Sequence, residues 1–92
     1  MNKELYQEMR DVFASNLKSI RHEAGLTQEQ IAKKSYIARS TYIAYEQGHT
    51  IPDAITLKFM AEAFNVSIDD ILGHKVDKTK ITKKRKAWWD EI

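Results

Sequence analysis

Leu26-Thr27-Gln28-Glu29-Gln30-Ile31 is the stretch that decides the fold. Thr27 followed three residues later by Gln30 is the pattern of a capping box, in which each side chain bonds the other residue's backbone amide at the start of a helix. Leu26 and Ile31 flank the box and can staple across it. A helix therefore begins at Gln28. It is short, because Ser35-Tyr36-Ile37-Ala38 carries no helical stripe that continues Ile31 and Ala32. The helical pattern resumes at about Arg39 and runs to Glu46, with Tyr42 and Tyr45 at i and i+3 on the buried face and Gly48 as the stop.

Upstream, Leu5, Met9, Val12, Phe13, Leu17, Ile20 and Ala24 follow one another at spacings of three and four. This predicts one helix over residues 3–24 whose apolar stripe is core throughout, ended by Gly25 in a left-handed conformation. Downstream, Asp53 behind Pro52 caps a fourth helix that buries Ile55, Leu57, Met60, Ala61 and Phe64, with Asn65 as its stop. Ser67 with Asp70 repeats the capping logic, and Ile68, Ile71 and Leu72 form the inner face of a fifth helix ending at Gly73. No segment alternates apolar and polar residues for long enough to argue a strand, so the expected class is all-α.

The chain has 92 residues, 42% hydrophobic and 30% charged, which suits one folded domain with one core. It has no cysteine, which excludes disulfides and thiolate metal sites. No apolar run approaches the roughly 20 residues of a membrane span. Met1-Asn2-Lys3-Glu4-Leu5 lacks the apolar core of a signal peptide, so the expected location is cytoplasmic. The net charge of +2 is unevenly placed. Residues 1–73 carry 8 basic and 10 acidic side chains, net −2, and residues 74–92 carry 7 basic and 3 acidic, net +4. The expected organisation is thus a helical body, 1–73, followed by a basic, tryptophan-bearing tail, 74–92.

Two short helices joined by a turn of about four residues, over Thr27 to Glu46, form a helix-turn-helix layout. The second helix of such a pair fits the major groove of duplex DNA, while the first aims its N-terminal amides and positive dipole end at a phosphate. That anchoring needs no Lys or Arg, which matters in a body of net charge −2.

Between Leu17 and Leu72 the chain resembles the phage-repressor and Cro-like, or XRE-type, helix-turn-helix family. The matching pieces, in order, are Leu17-Lys18-Ser19-Ile20-Arg21, Gly25-Leu26-Thr27-Gln28-Glu29-Gln30-Ile31-Ala32, Arg39-Ser40-Thr41, Glu46-Gln47-Gly48, Pro52, and Phe64-Asn65-Val66-Ser67-Ile68-Asp69-Asp70-Ile71-Leu72. The resemblance implies a five-helix lambda-repressor-like bundle and a transcriptional regulator that binds double-stranded DNA as a homodimer; operator occupancy then blocks polymerase or a neighbouring contact recruits it, and repression is the preferred sign. It also implies that Arg39, Ser40, Ile43 and Ala44 meet base edges, and that Gln28, Thr41, Gln47, His49 and Thr50 touch phosphates. Three positions depart from the family pattern. Ser35 stands where an apolar residue is usual, Tyr36 where the turn commonly has glycine, and Ala38 where a capping Ser or Asp is expected. A strained turn and a poorly capped third helix follow from the last two.

Nothing in the sequence builds an enzyme: Ser40 and Thr41 have no His or Lys placed to activate them, and phosphate-cradling glycine loops are absent. His22, His49 and His74 are scattered, so no metal site and no cofactor are expected. Glu46, in a helix-ending Glu-Gln-Gly, is expected to bond nearby backbone or Arg21 instead of acting catalytically. The tail admits several roles. Lys83, Lys84, Arg85, Trp88 and Trp89 form a solvated basic segment, reach flanking phosphates, or give an apolar helical face that docks on the first helix near Leu5 and Tyr6, on a second subunit or on a protein partner. Two alternatives to the regulator stay open: an antitoxin of this fold whose tail binds a toxin, and a protein-interaction module that has lost DNA binding.

Overall fold

A computed structural model describes residues 2–73; the tail readings lie outside the described residues. The described residues form five α-helices and no strand: α1 Lys3–Ala24, α2 Gln28–Lys34, α3 Arg39–Glu46, α4 Ala54–Phe64 and α5 Ile68–Leu72.

Local chemistry sets nearly every boundary. Asn2 starts α1 by accepting from the amides of Glu4 at 2.9 Å and Leu5 at 3.1 Å, and Gly25 ends it at φ 71°. The capping box of α2 is complete: Thr27 Oγ1 accepts from the Gln30 amide at 3.1 Å, and Gln30 Oε1 accepts from the Thr27 amide at 2.8 Å. Asp53 accepts from the Thr56 amide at 2.7 Å to start α4, and Asn65 ends that helix at φ 58°. Ser67 and Asp70 form a second full box at α5. The exception is α3. Ala38 has the extended geometry of an N-cap, φ −70° and ψ 148°, but no side-chain oxygen to use it. In the turn before it Tyr36 is held at φ 62°, where an L side chain is strained, as expected from its place in a glycine-like position. Its ring is 79% exposed and meets Phe59 edge-on, centroids 5.1 Å apart.

The core takes one wholly buried side chain from each helix: Leu17, Ile31, Tyr42, Met60 and Ile71 are all 0% exposed. Phe13, Ala32, Tyr45, Ala61 and Phe64 complete it. Burial of each large apolar side chain stabilises the fold by about 1.5–3 kcal/mol, so the five helices hold together through a single shared centre.

The expected core was too wide. Leu5, Met9 and Val12 are 51%, 58% and 50% exposed, and Ala24 is exposed as well. The reason is length. At about 1.5 Å per residue, α1 is far longer than its partners, which pack on it from Phe13 onward and leave its first turns open. Ile55 in the first turn of α4 is 64% exposed, and Ile68 and Leu72 at the two ends of α5 are 37% and 46% exposed; only Ile71 of that helix is wholly covered. Leu57 is half-buried.

Ser35 shows what its unusual place means. It is 1% exposed, and its hydroxyl has no hydrogen-bond partner in the protein. Replacing Ser35 by Ala removes a desolvated, unpaired hydroxyl for a very small loss of volume and is expected to raise stability by roughly 1 kcal/mol, read as a higher denaturation midpoint at unchanged slope. Ala38→Ser supplies the missing cap and is expected to add about 1 kcal/mol; because the two residues serve different helices, thermal unfolding of each variant separately checks them.

Candidate nucleic-acid interface

Tyr42, Tyr45 and Glu46 turn inward from α3. That fixes what the helix shows outward. Ser40, Ala44 and Gln47 lie at i, i+4 and i+7 along the opposite line, with Arg39, Thr41 and Ile43 to either side. Arg39, Ser40, Thr41 and Gln47 are exposed, and Ile43 and Ala44 are half-buried. The four expected base-facing residues therefore share one accessible surface.

Beneath this surface lies a polar cluster of which sequence reading saw only one bond. Glu46 is 5% exposed. Its carboxylate accepts from Arg21 Nε at 2.5 Å and Nη2 at 3.2 Å, from the Tyr42 hydroxyl at 2.5 Å, and from Gln28 Nε2 at 3.1 Å. Arg21 also donates to the Leu26 carbonyl at 3.0 Å, so one side chain joins α1, the start of α2 and the end of α3. Burial alone pushes the Glu46 carboxyl up, but hydrogen bonds from Arg21, Tyr42 and Gln28 outweigh it and hold the group below the usual carboxylate range. The hydrogen bond to Glu46 raises Arg21, and burial followed by the same carboxylate raises Tyr42. At neutral pH the cluster is an ion pair with a neutral phenol.

Gln28 links this cluster to the outside. One N–H of its amide is used by Glu46, which leaves a second N–H and the carbonyl oxygen for a ligand. Gln28 and Arg39 line the same open cleft of about 440 Å³, together with Thr27 and Glu29. The box uses the Gln30 amide, and the amides of Gln28 and Glu29 have no partner within the helix.

On the other side of α3, His49 and Thr50 are exposed in the loop that follows Gly48. This loop is tied to the extended part of α1, a contact that sequence reading missed. Arg10 Nη1 donates to the His49 carbonyl at 2.9 Å and Gln7 Nε2 to the Gly48 carbonyl at 3.3 Å. Arg10 also bonds Gln7 Oε1 at 2.5 Å and lies over the Tyr6 ring, 5.0 Å from its centroid. Gly48, at φ 74°, comes so near α1 that a Cβ there would stand 2.8 Å from Asp11 Oδ1. Polar side chains some 40 residues apart carry no periodic signal, so nothing in the sequence announced the pairing. Gln28, Thr41, Gln47, His49 and Thr50 thus sit around the exposed face of α3, on elements fixed from below.

Among the described residues no cluster of His, Asp and Glu is arranged to hold a metal ion, and no helix is long and apolar enough to cross a membrane.

Comparison with known proteins follows the same outline. The family described as helix-turn-helix matches residues 17–71. The cryptic phage CTXphi transcriptional repressor RstR of Vibrio cholerae is 30% identical over 76 residues, 83% of this chain and 67% of that protein. The HTH-type transcriptional activator BcrR of Enterococcus faecalis is 35% identical over 61 residues, 66% of this chain; the chain spans only 30% of that relative. A crystal structure of a transcriptional regulator from Listeria innocua superposes with a TM-score of 0.63 at 35% identity, covering 71% of this chain and 61% of that one.

The buried carboxylate makes stability pH-dependent. A group whose pKa is lowered by folding stabilises the folded state above its unfolded pKa, and the contribution fades as pH falls through the folded value. Glu46→Gln leaves the partly buried Arg21 without its charged partner and is expected to lower stability at pH 7 by about 1–3 kcal/mol. It is also expected to flatten the loss of stability that the natural protein shows on acidification below about pH 4.3. Urea denaturation of both proteins across pH 3–7 checks both.

Proposed function

This chain belongs to the helix-turn-helix family, and from that premise we propose that it is a transcriptional regulator that recognises a specific sequence in double-stranded DNA and represses by occupying its operator. The observation that carries the reading is the exposed face of α3, held outward by a buried ion pair and bordered on both sides by neutral hydrogen-bond donors. A body of net charge −2 has little long-range attraction for DNA, so local donors must supply the anchoring.

In this reading α3 enters the major groove. Arg39 takes guanine O6 and N7 as a bidentate pair, Ser40 donates to or accepts from a base edge, and Ile43 and Ala44 pack on thymine methyls. Gln28 clamps a phosphate at one end, with its amide oriented by Glu46. Thr41, Gln47 and the His49-Thr50 loop hold phosphates at the other. These contacts set register, and the base contacts set sequence. Two protomers, as a homodimer, place their α3 helices about 34–36 Å apart and read successive half-sites of a near-palindrome. The role is one of binding and not of catalysis. Repression is the sign supported by RstR, which is named a repressor and matches 83% of this chain.

Selection of oligonucleotides from a random pool, repeated at several salt concentrations, tests the proposal. The expected product is a shared motif with two half-sites one helical turn apart. The double variant Arg39→Ala, Ser40→Ala is expected to stay folded and lose discrimination at the matching bases by roughly 1–3 kcal/mol each. Gln28→Ala is expected to weaken binding to all sequences alike. Recovery of no motif, or of an undiminished motif by the double variant, overturns the assignment.

A further inference from the structure

The first half of α1 carries an apolar surface that the rest of the described body leaves open. Leu5, Met9 and Val12, at spacings of four and three, are each at least half exposed. Beside them is a cleft of about 180 Å³ walled mainly by Tyr6, Met9, Phe13, Ile51, Leu57 and Leu72, with the cation Arg10 also in its lining. Scattered exposed apolar residues need no explanation, but a contiguous apolar surface with a cleft in it marks a contact site.

Three observations point to what covers it. The first is position. Leu72 is a wall of the cleft, and a Cβ placed on Gly73 would meet Asn16 and Val12 of α1, so the 19 residues that follow Gly73 leave the body on the rim of this surface. The second is composition. Those residues include Ile81, Trp88, Trp89 and Ile92, a large apolar load for a short segment. The third is charge. In α1 up to Phe13 and in α5, the acidic residues Glu4, Glu8, Asp11, Asp69 and Asp70 stand against the basic Lys3 and Arg10, net −3, whereas residues 74–92 carry net +4. A second copy of the same face would bring like charges together; the tail brings the opposite sign.

We propose that residues 74–92 fold back within the same molecule and seat the Trp88-Trp89 pair on the surface formed by Tyr6, Met9 and Leu72. The basic run Lys83-Lys84-Arg85-Lys86 then faces the α1 and α5 carboxylates. Reach is no obstacle: the 15 residues from Gly73 to Trp88 span up to about 50 Å when extended, and α1 rises only about 10 Å from Leu5 to Val12. A tether this short gives an effective concentration on the order of millimolar, which favours the chain's own tail over another copy's.

Both tryptophans of the chain lie in this segment, so their fluorescence reports it alone. In the 92-residue chain without DNA, the expected result is blue-shifted emission and quenching by acrylamide several-fold weaker than in a peptide of residues 74–92. Both effects should be independent of protein concentration. Met9→Lys removes one wall of the surface and adds a charge of the tail's own sign. Because Met9 is 58% exposed, the helical circular dichroism is expected to stay intact while the emission moves to the red and quenching rises toward the peptide's. Emission and quenching equal to those of the free peptide overturn the proposal. So does protection that appears only as concentration and sedimentation coefficient rise together, since the tail then covers a second copy. No step of this experiment involves DNA, so its outcome is independent of the DNA-binding reading.

Discussion

The structure depends on one ion pair. Arg21 and Glu46 come from the first and third helices, 25 residues apart, and their union is buried on the carboxylate side and largely covered on the other. A charge pair taken out of water is stabilising only when its remaining lone pairs and protons are also satisfied. Here the Tyr42 hydroxyl and the Gln28 amide complete the carboxylate, and the Leu26 carbonyl receives another guanidinium proton. The apolar centre alone would hold five helices together without fixing the angle of the third. The ion pair and the Gln28 amide that joins it set that angle, because their bonds are directional and the three side chains stand on α1, α2 and α3. This also explains how the exposed face of a helix of only eight residues can be presented rigidly by so small a body.

Helix boundaries were the most legible part of the sequence, because each is written in one or two residues acting locally. Thr27 with Gln30, Asp53, and Ser67 with Asp70 cap their helices as read, and Gly25 and Asn65 end theirs in the left-handed conformation. Tyr36 and Ala38, where the pattern is broken, are where the geometry is strained or uncapped. Burial was less legible. Periodicity identifies the apolar side of a helix but says nothing about how far along it a partner reaches. Leu5, Met9 and Val12 have the same spacing as Phe13 and Leu17, yet only the latter two find cover. The ends of α4 and α5 failed the same way, at Ile55, Ile68 and Leu72. Least legible were the polar links across long separations. Gln28 to Glu46 and Arg10 to His49 join residues with no pattern between them, so they emerge only once the helices are placed.

The candidate interface combines both kinds of information. Its outward residues follow from the helical period once Tyr42 and Tyr45 are known to point inward. Its rigidity does not. The charge on this face is modest: Arg39 is accompanied by amides, hydroxyls and an imidazole, and Glu29 lies in the same cleft. Such a face holds a ligand by matching donors to acceptor positions, which is a geometric demand and makes the underlying supports matter more than they would on a strongly basic surface.

The grip of Arg10 and Gln7 on the carbonyls of Gly48 and His49 bears on how the protein can be cut. Both donors precede Leu17, where the match to the family starts, so an excised fragment beginning there would keep the helix pair but lose Phe13 from the apolar centre. It would also return two loop carbonyls to water and release the Gly48 bend from Asp11. The outer half of the long first helix is therefore both a brace for the loop and, through Phe13, a part of the centre, so a cut at the family boundary weakens the body in two places.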